Sequence, residues 1–377
     1  MRSSFRLLRV AGIDIKVHVT FFLILVLGAF QWSSYGPSGA AFGVLLMMAL
    51  FVCVVLHELG HSLVAQRLGV EVREIVLLPI GGVAMLSRMP RRPLHELLIA
   101  VAGPLVNVVI AGALFAWLGS QSSMPVDGSA LVNLSKAAPS VDTLLRWLLA
   151  ANVSLVLFNL IPAFPMDGGR ILRAILGMFL GFSRATRIAA GVGQVLALAL
   201  GLFAIFNGLF LLAFIAAFVF LGAGQERAVE EARVLLSTLR LGDAYNKHAL
   251  TLMPGDSVHR VTDYLLTSYQ PDFAVVLGGR LLGVVTRDAV LQSLATGQDE
   301  NYVTSIMNRD VMRLEAHLSL AQAREQMAEK GVPVAAAFDG ERFLGLVNHD
   351  DINEAMRIAA FLRLAQERKA GGAVDAA

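Results

Sequence analysis

The chain has 377 residues, 56% of them hydrophobic and 16% charged, with a formal net charge of +2 and a mean hydropathy of +0.65. An ordinary soluble domain carries roughly 25% charged residues, so a wholly soluble protein is excluded, and the near-neutral balance gives no signal for nucleic acid as a partner. The single cysteine, Cys53, excludes an internal disulfide framework and a cysteine-rich zinc site.

Met1 to Lys16 lacks an apolar core followed by a small-residue cleavage site, so targeting is expected to come from the first membrane helix itself. A spanning helix needs roughly 20 mostly apolar residues. Apolar stretches at 17–32, 41–64, 97–118, 144–161, 188–206 and 209–221 predict about six such helices, the first and last being short. Between the second and third, residues 75–86 read as β-strand with a turn or bulge. A further apolar piece, 171–182, is too short to count as a span.

Short-loop Lys/Arg bias orients these spans. Basic residues gather at Arg2, Arg6, Arg9 and Lys16, at Arg67, Arg73, Arg88, Arg91 and Arg92, and at Arg170, Arg173, Arg184 and Arg187. Residues 31–40 have none, and 120–142 have only Lys136. All strongly basic segments fall on one side of a six-span arrangement. An integral multi-pass protein of the plasma (inner) membrane is expected, with both termini cytosolic.

The second span contains His57-Glu58-Leu59-Gly60-His61. Histidines at i and i+4 share one helical face, so both can ligate one Zn²⁺. Glu58 can sit beside a zinc-bound water, whose pKa the metal lowers towards ~7, and take its proton during attack on a peptide carbonyl. The bland alternative is polar side chains hydrogen-bonded between helices. Ionisable groups inside a span are costly and are by default functional candidates. Cys53 lies eight residues from His61, about 12 Å of helix rise, and reads as a small buried hydrophobe. A catalytic zinc takes a third protein ligand and keeps an open position. The fourth span ends in Asn159-Leu160-Ile161-Pro162-Ala163-Phe164-Pro165-Met166-Asp167-Gly168-Gly169, where prolines and glycines break the helix. Irregular backbone at membrane depth must be buried in protein or line a water-filled cavity. Asp167 is the natural third ligand; its other reading is a cap on the following helix.

These motifs together resemble the site-2 protease family of intramembrane metalloproteases. Ala102-Gly103-Pro104-Leu105-Val106-Asn107, Ile80-Gly81-Gly82-Val83-Ala84 and the segment Gly12 to His18 also resemble that family, in its order, over roughly the first 225 residues. The resemblance implies a zinc-dependent endopeptidase cutting in or near a substrate's transmembrane helix, with one Zn²⁺ per chain held by His57, His61 and Asp167 and with Glu58 as base. It also implies substrate contacts for Asn107 and Asn159, whose other reading is interhelical hydrogen bonding. A helical substrate must unwind before cleavage, and the strand containing Gly81 and Gly82 could capture it by strand addition. Its other reading is a hairpin that only connects two spans.

Residues 224–240 read as a charged helical linker. Beyond it Gly283-Val284-Val285-Thr286 matches Gly345-Leu346-Val347-Asn348 at an offset of 345 − 283 = 62, which also pairs Ser257 with Ser319, Pro271 with Pro333 and Gly278 with Gly340. Each unit reads strand, amphipathic helix, two strands, helix. This resembles a tandem pair of CBS domains, which implies an adenine nucleotide in the cleft, contacted by Thr286 and Asp351. The sequence departs from that pattern: Thr286 is followed at the third position by Ala289, with Asp288 adjacent, and Asp351 is partnered by Asn348. Dimerisation or substrate gating by the pair is an equal reading.

The expected architecture is a polytopic α-helical membrane domain with a small membrane-associated β hairpin or sheet, joined to a soluble α/β tandem CBS domain. The boundaries are 1–223 for the protease domain, 224–240 for the linker, 241–299 and 300–362 for the CBS units, and 363–377 for a disordered tail. Expected partners are the lipid bilayer, a membrane-protein substrate with a transmembrane helix, and a second copy through the CBS domains. The rival functions are a CBS-regulated transporter and a catalytically silent scaffold. Transport predicts inverted repeats and polar residues along several spans, and the membrane half shows neither. A silent scaffold predicts loss of Glu58 or a ligand, and all four residues are present.

Overall fold

The computed structural model describes residues 4–79, 81–86, 92–121, 138–268, 270–297 and 300–374. Arg2, Ile80, Arg88, Arg91 and Lys136, used in the sequence reading, lie outside them. The chain divides into two compact units, Met1–Ala228 and Val229–Ala377.

The first unit opens with an antiparallel pair, β1 (Ser4–Val10) and β2 (Ile13–His18). Helix α1 (Phe21–Gln31) and the long α2 (Gly36–Arg67) lead to β3 (Val72–Leu78) and β4 (Gly81–Leu86). The four strands make one sheet in the order β1-β2-β3-β4. β2 and β3 are parallel, and β4 is an edge strand. Then follow α3 (Pro93–Gln121), α4 (Val141–Asn159), α5 (Asp167–Leu180), α6 (Phe182–Phe206) and α7 (Phe210–Thr238).

Among the described residues, five helical runs are long and apolar enough to cross a membrane: Ser33–Arg67, Pro93–Ser120, Val141–Asn159, Phe182–Phe206 and Phe210–Thr238. The expected first span is corrected, because its helix α1 has only 11 residues, about half of a ~30 Å hydrocarbon core at 1.5 Å per residue. The cause is local. Ile13, Ile15 and Val17 alternate with Asp14, Lys16 and His18 and bury every second side chain as a strand, so Val17 and His18 are taken by β2. The short apolar piece expected at 171–182 is α5, a 14-residue helix.

What positions the site is the seam between sheet and helices. Ile13, Ile15 and Val17 of β2 join Val72, Ile75 and Leu77 of β3 in a buried cluster with Phe51, Leu59 and Ala65 of α2 and Ile99 of α3. Leu59 sits between the two histidines of the motif, so the sheet is anchored on the helix that carries them.

The second unit holds two three-stranded sheets of equal topology. β5 (Thr251–Leu252), β6 (Asp272–Leu277) and β7 (Arg280–Thr286) form one; β8 (Arg313–Glu315), β9 (Val334–Asp339) and β10 (Arg342–Asn348) form the other. In each, the first pair is parallel and the second antiparallel. The helices, in chain order, are α8 (Leu241–Ala244), α9 (Val258–Thr267), α10 (Arg287–Ala295), α11 (Leu320–Lys330) and α12 (His349–Val374). Ala274 and Val284 of the first sheet pack with Ala336, Phe338 and Leu346 of the second, closing the repeats on one another. The repeated residues have structural duties. Ser257 and Ser319 cap α9 and α11, and Gly278 and Gly340 turn the two hairpins at φ +58° and +57°.

Helix α12 runs on to Val374, through most of the stretch 363–377 expected as a tail. Leu362 to Ala370 are almost all strong helix formers, so propensity carries the helix on from the packed domain.

At the start of α11, Ser319 and Gln322 form a reciprocal capping box. Ser319→Ala should cost about 1 kcal/mol locally and speed hydrogen exchange of the α11 amides about fivefold in the intact chain. Unchanged exchange would show that neighbouring contacts, not the cap, hold this helix end.

Candidate metal centre

His57, Glu58 and His61 occupy consecutive turns of α2, well inside its apolar run. The loop 160–166 after α4 folds under them, with Ala163 and Phe164 fully buried. Its first helical residue on the far side is Asp167. Asp167 Oδ2 stands 3.3 Å from His57 Nε2 and 3.2 Å from His61 Nε2, and the two Nε2 atoms are 3.1 Å apart. Ligand-to-zinc distances of about 2.0–2.1 Å in a tetrahedron place neighbouring ligand atoms about 3.3 Å apart. The triangle therefore fits a zinc ion and leaves the fourth corner open. Among the described residues this is the group of three metal-ligating side chains that converges. The cap position of α5 is Met166, which makes no side-chain capping bond, so the Asp167 carboxylate is turned to the imidazoles.

The second nitrogen of each imidazole is also engaged. His61 Nδ1 donates to the Ile99 carbonyl at 2.6 Å, and His57 Nδ1 lies 2.7 Å from Asn107 Oδ1. Asn107 Nδ2 donates to Asn152 Oδ1 at 3.1 Å, and Asn152 Nδ2 donates to the Leu148 carbonyl at 2.8 Å and to Cys53 Sγ at 3.4 Å. Both Nδ1 atoms act as donors, which fixes the tautomer that turns each Nε2 lone pair towards the metal position. Helix α3 comes this close because residue 103 is glycine. A Cβ there would fall 2.2 Å from His61 Nε2 and 2.8 Å from His57 Nε2.

Glu58 is half-buried and faces the edge strand. A Cβ at Gly82 would meet Glu58 Cγ at 2.5 Å, so the missing side chain lets β4 pass directly beside the carboxylate. Gly81 begins that strand at φ +136°. Asn107 is fully buried and engaged with His57 and Asn152. Asn159, by contrast, ends α4 half-buried, and its side chain makes no hydrogen bond among the described residues. Sequence reasoning missed Asn152, the Ile99 carbonyl and the buried ion pair of Glu96 with Arg173. Asn152 could have been found as one of two amides, with Asn159, in the apolar stretch 144–161.

In the second unit a cleft of about 280 Å³ is lined by, among others, Asn246, His248, Gln270, Asp272, Asn348 and Asp351. Asp351 Oδ2 accepts from the Asn348 amide, while Thr286 caps α10 through the Ala289 amide and is not in that lining. Burial raises the carboxyls of both Asp272 and Asp351 above their ordinary range. No Lys or Arg is among the lining residues.

Two histidines and a carboxylate converging inside apolar spanning helices define a membrane-embedded metallopeptidase. Residues 45–203 match the model of Peptidase family M50, and residues 303–358 match that of the CBS domain. The zinc metalloprotease MJ0392 of Methanocaldococcus jannaschii is 33% identical over 371 residues, which cover 98% of this chain and 100% of that protein. The Synechocystis protein sll0528 is 28% identical over 355 residues, 88% of this chain and 89% of its own. Among solved structures, the site-2 protease from Methanocaldococcus jannaschii is 42% identical and covers 59% of this chain and 95% of that one, with a TM-score of 0.42. The chain belongs to peptidase family M50, the site-2 proteases, in a form that carries a CBS domain. It is a zinc-dependent intramembrane endopeptidase and an integral membrane protein.

Gly103→Ala should abolish zinc binding, whereas Gly112→Ala on the same helix, where a Cβ meets nothing within 4 Å, should leave it intact. Metal analysis of the two purified variants decides, and equal zinc content would refute the close approach of α3. A second expectation concerns pH. The folded state binds a proton at Asp272 more tightly than the unfolded chain, so ionisation opposes folding. That cost is absent below the ordinary carboxylate value of 3.8 and grows as pH rises through the raised one. Asp272→Asn should raise the melting temperature of the soluble unit at pH 7 by about 1–4 °C, an effect discounted for partial exposure, and leave it unchanged below pH ~4. Calorimetry at the two pH values checks the sign.

Proposed function

We propose that the chain hydrolyses a peptide bond in or beside the transmembrane segment of a membrane-anchored protein, with His57, His61 and Asp167 holding one zinc ion and Glu58 as general base. The observation that carries this reading is the triangle of ligand atoms, 3.1–3.3 Å on a side, set among apolar helices beside a free strand edge. When bound, zinc supplies Lewis acidity, lowering the pKa of water and polarising a carbonyl. Glu58 accepts the water proton on its carboxylate and returns it to the nitrogen of the leaving amine. The open amide of Asn159 is available to donate to the scissile carbonyl. Asn107 we assign instead to holding His57, because it is buried and both ends of its amide are engaged.

A substrate helix hides its peptide groups in its own hydrogen bonds and must present an extended segment to be cut. β4 offers the backbone edge for it, and Gly82 brings that edge against Glu58. The Lys/Arg bias of the short connections at 67–92 and 170–187 supports a cytosolic face for both and, with them, a cytosolic C-terminus; five crossings instead of six would leave the N-terminal segment on the opposite face. The CBS pair we read as a gating and dimerisation module. Its cleft presents two carboxyls and no Lys or Arg to a nucleoside polyphosphate, so an adenine nucleotide at Thr286 and Asp351 is poorly matched in charge.

Wild type and Glu58→Gln, reconstituted in liposomes with a single-span substrate, test the assignment. Zinc content should be equal in the two, with cleavage lowered by at least about 10²-fold in the variant. Equal cleavage would remove Glu58 from the chemistry, and no zinc in the wild type would remove the metal centre.

A further inference from the structure

Six residues beyond Asp167, on the same helix, Arg173 is buried at 4% exposure. Its Nε donates to Glu96 Oε1 at 2.8 Å, its Nη2 donates to the same oxygen, and its Nη1 donates to Glu226 Oε2 at 3.2 Å. The guanidinium carbon lies 4.8 Å from the ring centroids of both Phe164 and Phe182. One side chain thereby joins α5 to α3, to the loop before Asp167, to α6 and to α7.

Stability gives weak reason for three ionised groups in such a place. Apolar side chains of similar volume often serve a buried site as well as an ion pair does, and charge among membrane helices is costly. Glu96 is 4% exposed, and its second oxygen, Oε2, makes no hydrogen bond among the described residues. The pair is therefore not optimised for stability. What an arginine offers beyond packing is direction, because its rigid fork fixes the angle and distance of its partners.

Those partners are the elements that build the metal centre. Helix α3, held at Glu96, carries the Ile99 carbonyl on His61, Gly103 against both imidazoles and Asn107 on His57. Helix α5, held at Arg173, starts with Asp167. On α7, Val219, Gly222, Ala223 and Glu226 share one face at i, i+3, i+4 and i+7. They meet in turn Ala163 and Met166, Pro165, Phe164 and Arg173.

Resting on the zinc reading above, we propose that Arg173 is a positioning residue for Asp167. Clamped by Glu96 and Glu226, it fixes α5 and its preceding loop against α3 and α7, so that the carboxylate stands at ligating distance from His57 and His61. Arg173 touches none of the three ligand side chains and acts only through the helix that begins with Asp167.

The full chain in detergent tests this with Arg173→Lys, Glu226→Gln and the double variant Glu96→Gln/Arg173→Met, which leaves only the part-exposed Glu226 without its partner. Zinc affinity by chelator competition and the visible absorption of the Co²⁺-substituted protein are read beside helicity and gel filtration. The double variant should stay folded and bind zinc about 10–100-fold more weakly, the range for residues that orient metal ligands. Its cobalt bands should be altered, Arg173→Lys should be intermediate, and lost cleavage should return on adding zinc. Wild-type affinity and cobalt spectrum in the double variant would overturn the proposal and leave the zinc reading standing. Should that variant not fold, Glu226→Gln decides, since it keeps the Arg173–Glu96 pair. Zinc affinity weakened about 3–10-fold supports the clamp, and wild-type affinity overturns it. A wild type that binds no zinc overturns both readings.

Discussion

A polar group placed among apolar membrane helices has no water to fall back on, and leaving it unpaired costs several kcal/mol. A hydrolytic centre needs polar groups there, and the first unit of this protein is built around answering each of them from within. The His57 and His61 rings are held at Nδ1 by an amide oxygen and a backbone carbonyl. The amide that holds His57 is itself held by Asn152, which returns to α4 and to Cys53 of α2. Three helices are thus joined by a relay of donors and acceptors whose free end is the pair of Nε2 lone pairs. The chemistry and the packing share their contacts, which is why α3, contributing no ligand, sits at the centre of the arrangement.

The same constraint explains how much could be read from the sequence. His57 and His61 were legible because helical periodicity alone puts i and i+4 on one face, and Asp167 because two prolines and two glycines announced broken helix at membrane depth. Gly103 and Asn107 were visible only as part of a resemblance, with nothing to say that one makes room and the other orients a ring. The Ile99 carbonyl had no signature at all, since every residue carries one and only tertiary placement selects it. The expected first span, 17–32, fell short because its first two residues, Val17 and His18, pair within the sheet and the helix begins only at Phe21. In the tail, Gly and Ala content points to disorder and the helix formers before them to helix, and α12, already nucleated, runs on to Val374.

In the soluble half the repeat identified the architecture, and its repeated residues carry structural duties. Ser257 and Ser319, and Gly278 and Gly340, recur because caps and left-handed turns admit few residue types. Thr286 recurs with Asn348 for a related reason, each capping the helix after the third strand. Thr286 and Asp351, the two residues the resemblance assigns to a nucleotide, both hold backbone amides here, and Asp351 joins Asp272 in giving the cleft two carboxyls.

The edge strand connects these arguments to the substrate. Among the described residues β4 is paired on one side only, an arrangement that in a soluble protein invites aggregation and is usually blunted by charge or proline. Here the edge runs beside Glu58 with a glycine at the point of contact, so a strand added to it would lie alongside the carboxylate proposed as base. Water must be admitted to this place for hydrolysis and kept from the rest of the apolar interior. A narrow edge that is satisfied only when an extended peptide occupies it meets both demands. On the proposed reading, an unwound segment could pair with the backbone groups along that edge, and an intact helix could not, because its own amides are already bonded to one another.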